Sequence, residues 1–125
     1  MDNQTLVTEI RKTLTEFIQN VYKINVAMLI KDIEVDTYTF ILGSHLLNLF
    51  TPYDATKIIA EYFHKNLSKE AFKIISRINI VSTKDPSIVP ITRAFNTKNS
   101  ICIIKNCNFF NVVIDDAIIL ESHMD

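Results

Sequence analysis

Glycine is nearly absent from this 125-residue chain: Gly43 is the only one. That single shortage removes whole classes of function. Phosphate-binding loops and dinucleotide fingerprints need several closely spaced glycines, so that backbone can approach a phosphate. Turns must rely instead on Asn, Asp, Ser and Pro, of which Asn best tolerates the left-handed conformation. Asn96, Asn99, Asn106, Asn108 and Asn111 stand where reversals between C-terminal strands are expected. Tryptophan is missing and proline occurs three times. The two cysteines, Cys102 and Cys107, sit among apolar and Asn residues. They fit reduced thiols in a cytosolic protein better than a disulfide, and they are too few for a zinc site. No apolar run approaches the roughly 18 residues of a membrane span. The opening Met1-Asp2-Asn3-Gln4-Thr5 lacks the basic-then-apolar layout of a signal peptide. A cytoplasmic protein is therefore expected, without membrane or cofactor.

An apolar fraction of 48% and a charged fraction of 22% are those of a globular chain. The length suits one domain over residues 1–125 with its own core. The C-terminal half carries β-branched runs in three stretches: Ala71 to Thr83, Ile101 to Ile104, and Asn111 to Leu120. Such side chains fill a pleated surface well. The first half reads as helical. Leu6, Val7, Ile10, Leu14, Phe17, Ile18 and Val21 recur at helical spacing, predicting a helix from Asn3 to about Tyr22. Val26 to Ile30 fits either a continuation of the helical region or an edge strand. Asp36 reads as an N-cap before a second helix with Tyr38, Ile41, Leu42, His45, Leu46, Leu49 and Phe50 on its apolar stripe, stopped by Pro52. A third helix, capped by Asp54, would turn Ile58, Ile59, Tyr62, Phe63 and Leu67 inward. Asp85-Pro86 predicts the start of a short helix reaching about Phe95, limited by Pro90. The expected fold class is α+β, with N-terminal helices packed on a mainly antiparallel sheet formed by the C-terminal half.

The sequence contains no complete catalytic or metal-binding set. Glu61 and His64 have the spacing used by di-iron bundles, but a second such pair and two further inward glutamates are missing. Ser44 and His45 are adjacent on the expected second helix and would point apart, which excludes a hydrolytic pair. His123 lies in the C-terminal tail. These readings leave only a catalytic site assembled from scattered residues, and the protein is expected not to be an enzyme.

Charge is segregated along the chain. Residues 1–56 hold four basic and seven acidic residues, residues 57–105 nine basic and three acidic, and residues 106–125 four acidic and no Lys or Arg. Segregated charge steers partners and sets register, or else the segments neutralise one another in the fold. Lys65, Lys69 and Lys73 could form a basic stripe, but the aromatic–basic interleaving of an RNA-recognition sheet is missing. No nucleic-acid partner is expected, and no small-molecule substrate.

Three segments carry a family resemblance: the strand Ile78-Asn79-Ile80-Val81-Ser82-Thr83 running into Lys84-Asp85-Pro86, the short helix ending Arg93-Ala94-Phe95, and Asn108 to Ile119. In these segments, under half of the chain, the sequence resembles small immunity proteins of bacterial polymorphic toxin systems, in particular those of contact-dependent growth inhibition. The resemblance implies a non-enzymatic cytosolic protein that binds one cognate toxin domain and covers its active site. Many such toxins are basic nucleases, which an acidic surface would attract. The acidic candidates for that contact are Asp32, Glu34 and Asp36 before the second helix, and Asp115, Asp116 and Glu121 near the C-terminus. Asp115-Asp116 interrupts an apolar run and is expected at a turn or rim. An adaptor or secretion chaperone binding a client protein is the alternative, and it should expose an apolar groove.

Overall fold

The computed structural model describes residues 3–32, 37–86, 88–97, 101–109 and 112–123, giving only the backbone for residues 3, 32, 104–109 and 112–116. Helix α1 (Asn3–Asn20) leads into strand β1 (Val26–Asp32), which pairs antiparallel with β2 (Thr37–Gly43). A single 3-10 turn (Leu47–Leu49), helix α2 (Pro52–Asn66) and the short helix α3 (Lys69–Lys73) then cross to β3 (Ile75–Ile80), which runs parallel to β2. Helix α4 (Val89–Ala94) precedes β4 (Cys102–Phe109) and β5 (Val112–Ser122), an antiparallel pair. The five-stranded sheet has the order β3-β2-β1-β5-β4. The fold is α+β, with a mixed and mostly antiparallel sheet.

Two of the five strands come from the first half of the chain. Val26 to Ile30 is not an edge strand but the middle of the sheet, between β2 and β5, with all five residues buried. Residues 37–43 form a strand where a helix is expected. The cause is burial on both faces. Tyr38, Phe40 and Leu42 face the α1–α2 layer while Ile41 faces the other core, so the period of two is blurred and the apolar positions also fit a helical template. Pro52 opens α2 rather than ending its predecessor, and Thr51, not Asp54, is the cap: its hydroxyl accepts from the Asp54 amide at 3.2 Å. Strand β3 begins at Ile75, because Ser68 caps α3 over residues 69–73. The helix expected from Asp85-Pro86 starts at Val89, after a turn in which the Ile88 amide donates to the Asp85 carbonyl. Asn106 and Asn108 lie inside β4 rather than at turns, Asn96 follows α4, and Asn99 and Asn111 lie outside the described residues.

Two cores flank the sheet. The larger one packs Leu6, Ile10, Leu14 and Phe17 of α1 and Ile59 and Phe63 of α2 against Leu29, Phe40, Leu42 and Leu120. Phe17, Phe63 and Phe40 form an aromatic chain through it, with the Phe40 and Phe63 centroids 5.2 Å apart and nearly perpendicular. Glu9 ties α1 to α3 by accepting from the Ser68 amide at 2.6 Å and hydroxyl at 2.9 Å. On the opposite face, Ile88 and Ile91 cover Val26, Met28, Ile30, Ile41, Ala117 and Ile119.

The α4 segment is held there by the end of β5. Thr97 and Ser122 exchange both backbone hydrogen bonds, and the Ser122 hydroxyl lies 3.2 Å from the Ile91 carbonyl and 2.7 Å from that of Phe95. Replacing Ser122 with Ala strips a buried donor from these carbonyls. A loss of about 1–2 kcal/mol in a denaturant titration is expected, with faster amide exchange confined to residues 88–97.

Gly43 has a packing role, not a turn role. A Cβ there would stand 2.8 Å from Val26 Cγ1 and 3.0 Å from the Val81 carbonyl oxygen. The Val81 oxygen is backbone and cannot rotate away. Gly43→Ala is therefore expected to destabilise by about 1–3 kcal/mol and to be relieved in part by Val26→Ala, measured as a double-mutant cycle.

Candidate protein-binding surface

Two distinct arrangements form at the end of the sheet where β1 begins and β2 and β5 end. The first is a buried polar cluster. The β1–β5 register shifts between Ala27 and Met28, so that Ala27 pairs with Glu121 while Met28 pairs with Ile119. Without this bulge, strict alternation would send Glu121 to the α4 side with Ile119. The extra residue instead turns it towards α1. There Arg11 Nη2 donates to Glu121 Oε1 at 2.9 Å and to the Thr15 hydroxyl at 3.1 Å, while Arg11 Nη1 donates to the Leu120 carbonyl. His123 Nε2 stands 3.0 Å from Glu121 Oε2. Arg11, Glu121 and His123 are 7%, 4% and 6% exposed. Burial pulls the Arg11 guanidinium below its ordinary range, and the Glu121 carboxylate counteracts this by its charge and hydrogen bond.

Asn25 completes the structure of this end. Its backbone amide donates to the Gly43 carbonyl, its carbonyl accepts from the His123 amide, and its side chain bridges the His45 amide and the His123 carbonyl. His123 is thus an anchored, buried residue rather than part of a loose tail.

The second arrangement is apolar and exposed. The Ser44 hydroxyl accepts from the amides of Leu46 and Leu47 at 3.1 and 3.2 Å, which bends the chain into the 3-10 turn directly after β2. Leu47 plugs into the core, 2% exposed, whereas Leu46 and Leu49 point outward at 42% and 81%. Phe50 meets the ring of Tyr22 at 6.0 Å, and Tyr53 follows in the first turn of α2 at 75% exposure. The turn is pinned laterally: Asn48 Nδ2 donates to the Thr83 hydroxyl at 2.8 Å, which also lies 3.1 Å from His45 Nδ1. Beside it runs a groove of about 260 Å³ lined by Leu47, Phe50, Pro52, Ala55, Ile80 and Val81. Large exposed apolar residues gathered at one turn are the kind of surface that protein partners use. The reading of residues 38–50 as one helix concealed this surface. The available signal was Ser44 placed before Leu46-Leu47, a local capping pattern.

The acidic candidates are distributed differently from expectation. Glu121 is not a surface carboxylate but the buried partner of Arg11, because the bulge directs it inward. Asp115 and Asp116 do not mark a turn. They lie inside the continuous strand β5, where Asp116 pairs with Lys105 of β4. Asp32 closes β1 opposite Thr37. Since Ile30 pairs with Ala117, the register brings Asp32 and the Asp115-Asp116 pair to one end of the sheet, opposite the end that carries the apolar turn. Glu34 and Asp36 lie outside the described residues.

The other candidate groups do not converge. Glu61 and His64 are both exposed on α2, with the His64 ring edge-on to Phe72 at 5.1 Å. His45 is exposed after β2 rather than set on a helical stripe. Among the described residues no three His, Cys, Asp or Glu side chains gather as metal ligands, and no helix is long and apolar enough to cross a membrane. Comparison with family models, with curated proteins and with solved structures finds no match to this chain.

Proposed function

We propose that this protein is a stoichiometric protein-binding inhibitor: an immunity protein that acts in the bacterial cytosol, binding a cognate toxin domain and covering its active site. The observation that carries this reading is the exposed apolar turn of Leu46, Leu49, Phe50 and Tyr53. Aromatic and aliphatic side chains on a pre-organised turn supply binding energy at low entropic cost. The resemblance of residues 78–95 and 108–119 to immunity proteins of contact-dependent growth inhibition adds the class of partner. Asp32, Asp115 and Asp116, at the far end of the sheet, serve to steer a basic toxin during approach rather than to anchor it.

The test is co-expression with a candidate toxin domain, taken from the C-terminus of any large secreted protein encoded immediately upstream of this gene. Cells carrying both should grow, and cells carrying the toxin with an unrelated immunity protein should not. Joint reversal of Asp115 and Asp116 to Lys is expected to slow association by about tenfold at low salt and to flatten the salt dependence, with little change in dissociation. Unchanged salt dependence in a folded variant would remove the acidic end from the contact. An adaptor or secretion chaperone would use the same apolar surface, but it would bind its client without abolishing a toxic activity.

A further inference from the structure

We infer that the outer edge of strand β3 docks an extended segment of a partner protein, one that alternates apolar and acidic side chains. Such docking goes beyond toxin binding and does not depend on it, because the segment is acidic whereas the proposed toxin is basic. Strand β3 stands at one end of the sheet and, among the described strands, pairs only with β2. The Val81 amide donates to the Leu42 carbonyl at 2.9 Å, so Val81 turns its backbone polar groups towards β2. Successive residues of a paired strand turn these groups to opposite edges. Ile78 and Ile80 therefore present their amides and carbonyls outward, where no described strand meets them. An edge of this kind is a template for one more strand.

Side-chain space along the same edge fixes what that strand carries. Ile78 and Ile80 pack towards the α1–α2 core, whereas Val81 packs on the α4 side. By alternation Arg77 and Asn79 share the face of Val81, and both are exposed. On the α2 side, two grooves follow one another along β3. One, of about 270 Å³, is lined by Thr56, Ala60, Phe72 and Ile78. The other is the groove of about 260 Å³ beside the apolar turn, where Ala55 of α2 faces Ile80. The small side chains of Ala55, Thr56 and Ala60 leave room for alternate apolar side chains of a docked strand. On the opposite face the charge is positive. No carboxylate among the described residues forms an ion pair with Arg77. The chain from Lys73 to Arg93 holds Lys73, Arg77, Lys84 and Arg93 against Asp85 alone. Carboxylates at the intervening positions of the docked strand complement this charge. The same charge opposes a second copy of β3, which would set like charges together.

The experiment titrates three synthetic heptapeptides into the full chain and follows backbone amide signals. One alternates valine and glutamate, one alternates valine and lysine, and the third is the acidic peptide N-methylated at every amide. The acidic peptide is expected to saturate, to shift signals of residues 52–60 and 75–82, and to slow hydrogen exchange at the Ile78 and Ile80 amides. The basic peptide should bind at least about tenfold more weakly. The N-methylated peptide, which cannot donate to the edge, should not bind. Arg77→Ala, a change at an exposed side chain, should weaken the acidic peptide by about two- to fivefold. Equal binding of the acidic and N-methylated peptides would show a merely apolar groove and overturn the docked strand. Equal binding of the acidic and basic peptides, full retention of affinity in the Arg77 variant, shifts mapping elsewhere, or no saturation would each overturn it as well. So would protection of Ile78 and Ile80 that grows with protein concentration alone, because a second copy would then occupy the edge.

Discussion

Replacing Glu121 with Ala should lower the free energy of unfolding by about 3–5 kcal/mol, the usual cost of breaking a buried ion pair from one side. Arg11 is already held below its ordinary pKa range by burial, and the Glu121 carboxylate opposes this by its charge and hydrogen bond. Without the carboxylate, the Arg11 guanidinium and His123 remain buried and each loses a hydrogen-bond acceptor. For a chain of this size, whose total stability is of order 5–15 kcal/mol, such a loss approaches unfolding at growth temperature. Glu121→Gln keeps the shape and one acceptor but loses the charge, and should fall between the two. The informative control is the double variant Arg11→Met with Glu121→Leu. Removing both charges leaves nothing uncompensated, so it should recover most of the stability lost in Glu121→Ala, as read from denaturant midpoints. If Glu121→Ala unfolds at the same denaturant concentration as the unaltered protein, the cluster does not hold α1 to β5.

The opposite behaviour is expected at the apolar turn. Leu49 and Tyr53 contribute little to the core, being 81% and 75% exposed. Leu49→Asp combined with Tyr53→Asp should change stability by no more than about 0.5 kcal/mol per site. Toxin affinity, by contrast, should fall by about 2 kcal/mol or more, roughly thirtyfold, because each substitution forces a charge into a desolvated contact. Calorimetric titration against the toxin domain, with thermal unfolding run beside it, separates the two effects. Leu47→Asp is the wrong substitution for this purpose: that side chain is in the core, and its loss would unfold the turn itself.

Helix α1 was legible because its period is undisturbed, and the C-terminal strands because they are rich in β-branched side chains. One face of α1 meets the core, so Leu6, Ile10, Leu14 and Phe17 declare a helix. Strand β2 was not legible, because both its faces are covered and a doubly buried strand loses its alternation. The same cause hid β1, whose five apolar residues in a row carry no period at all. Proline misled at position 52, since a residue that ends one helix is equally suited to begin the next.

The charge map had a similar limit. Counting along the chain brought Asp32 and Asp115 into the same hypothesis, and strand register places them at one sheet end. Counting could not foresee a one-residue bulge, and that bulge turns Glu121 from an expected surface contact into a buried partner of Arg11. Exposure of Leu46 and Leu49 was also beyond the pattern. Apolar spacing alone does not distinguish a side chain aimed at the core from one aimed at a partner.

Inhibition through the apolar turn is tested most directly by a titration of toxin activity. A fixed amount of the isolated toxin domain is assayed on its substrate with increasing amounts of this protein, unaltered or carrying Leu49→Asp and Tyr53→Asp. Inhibition through the turn requires a linear fall to zero activity at one equivalent of the unaltered protein, and activity persisting well beyond one equivalent of the double variant. Undiminished toxin activity in excess unaltered protein, or equal inhibition by the double variant, would contradict it.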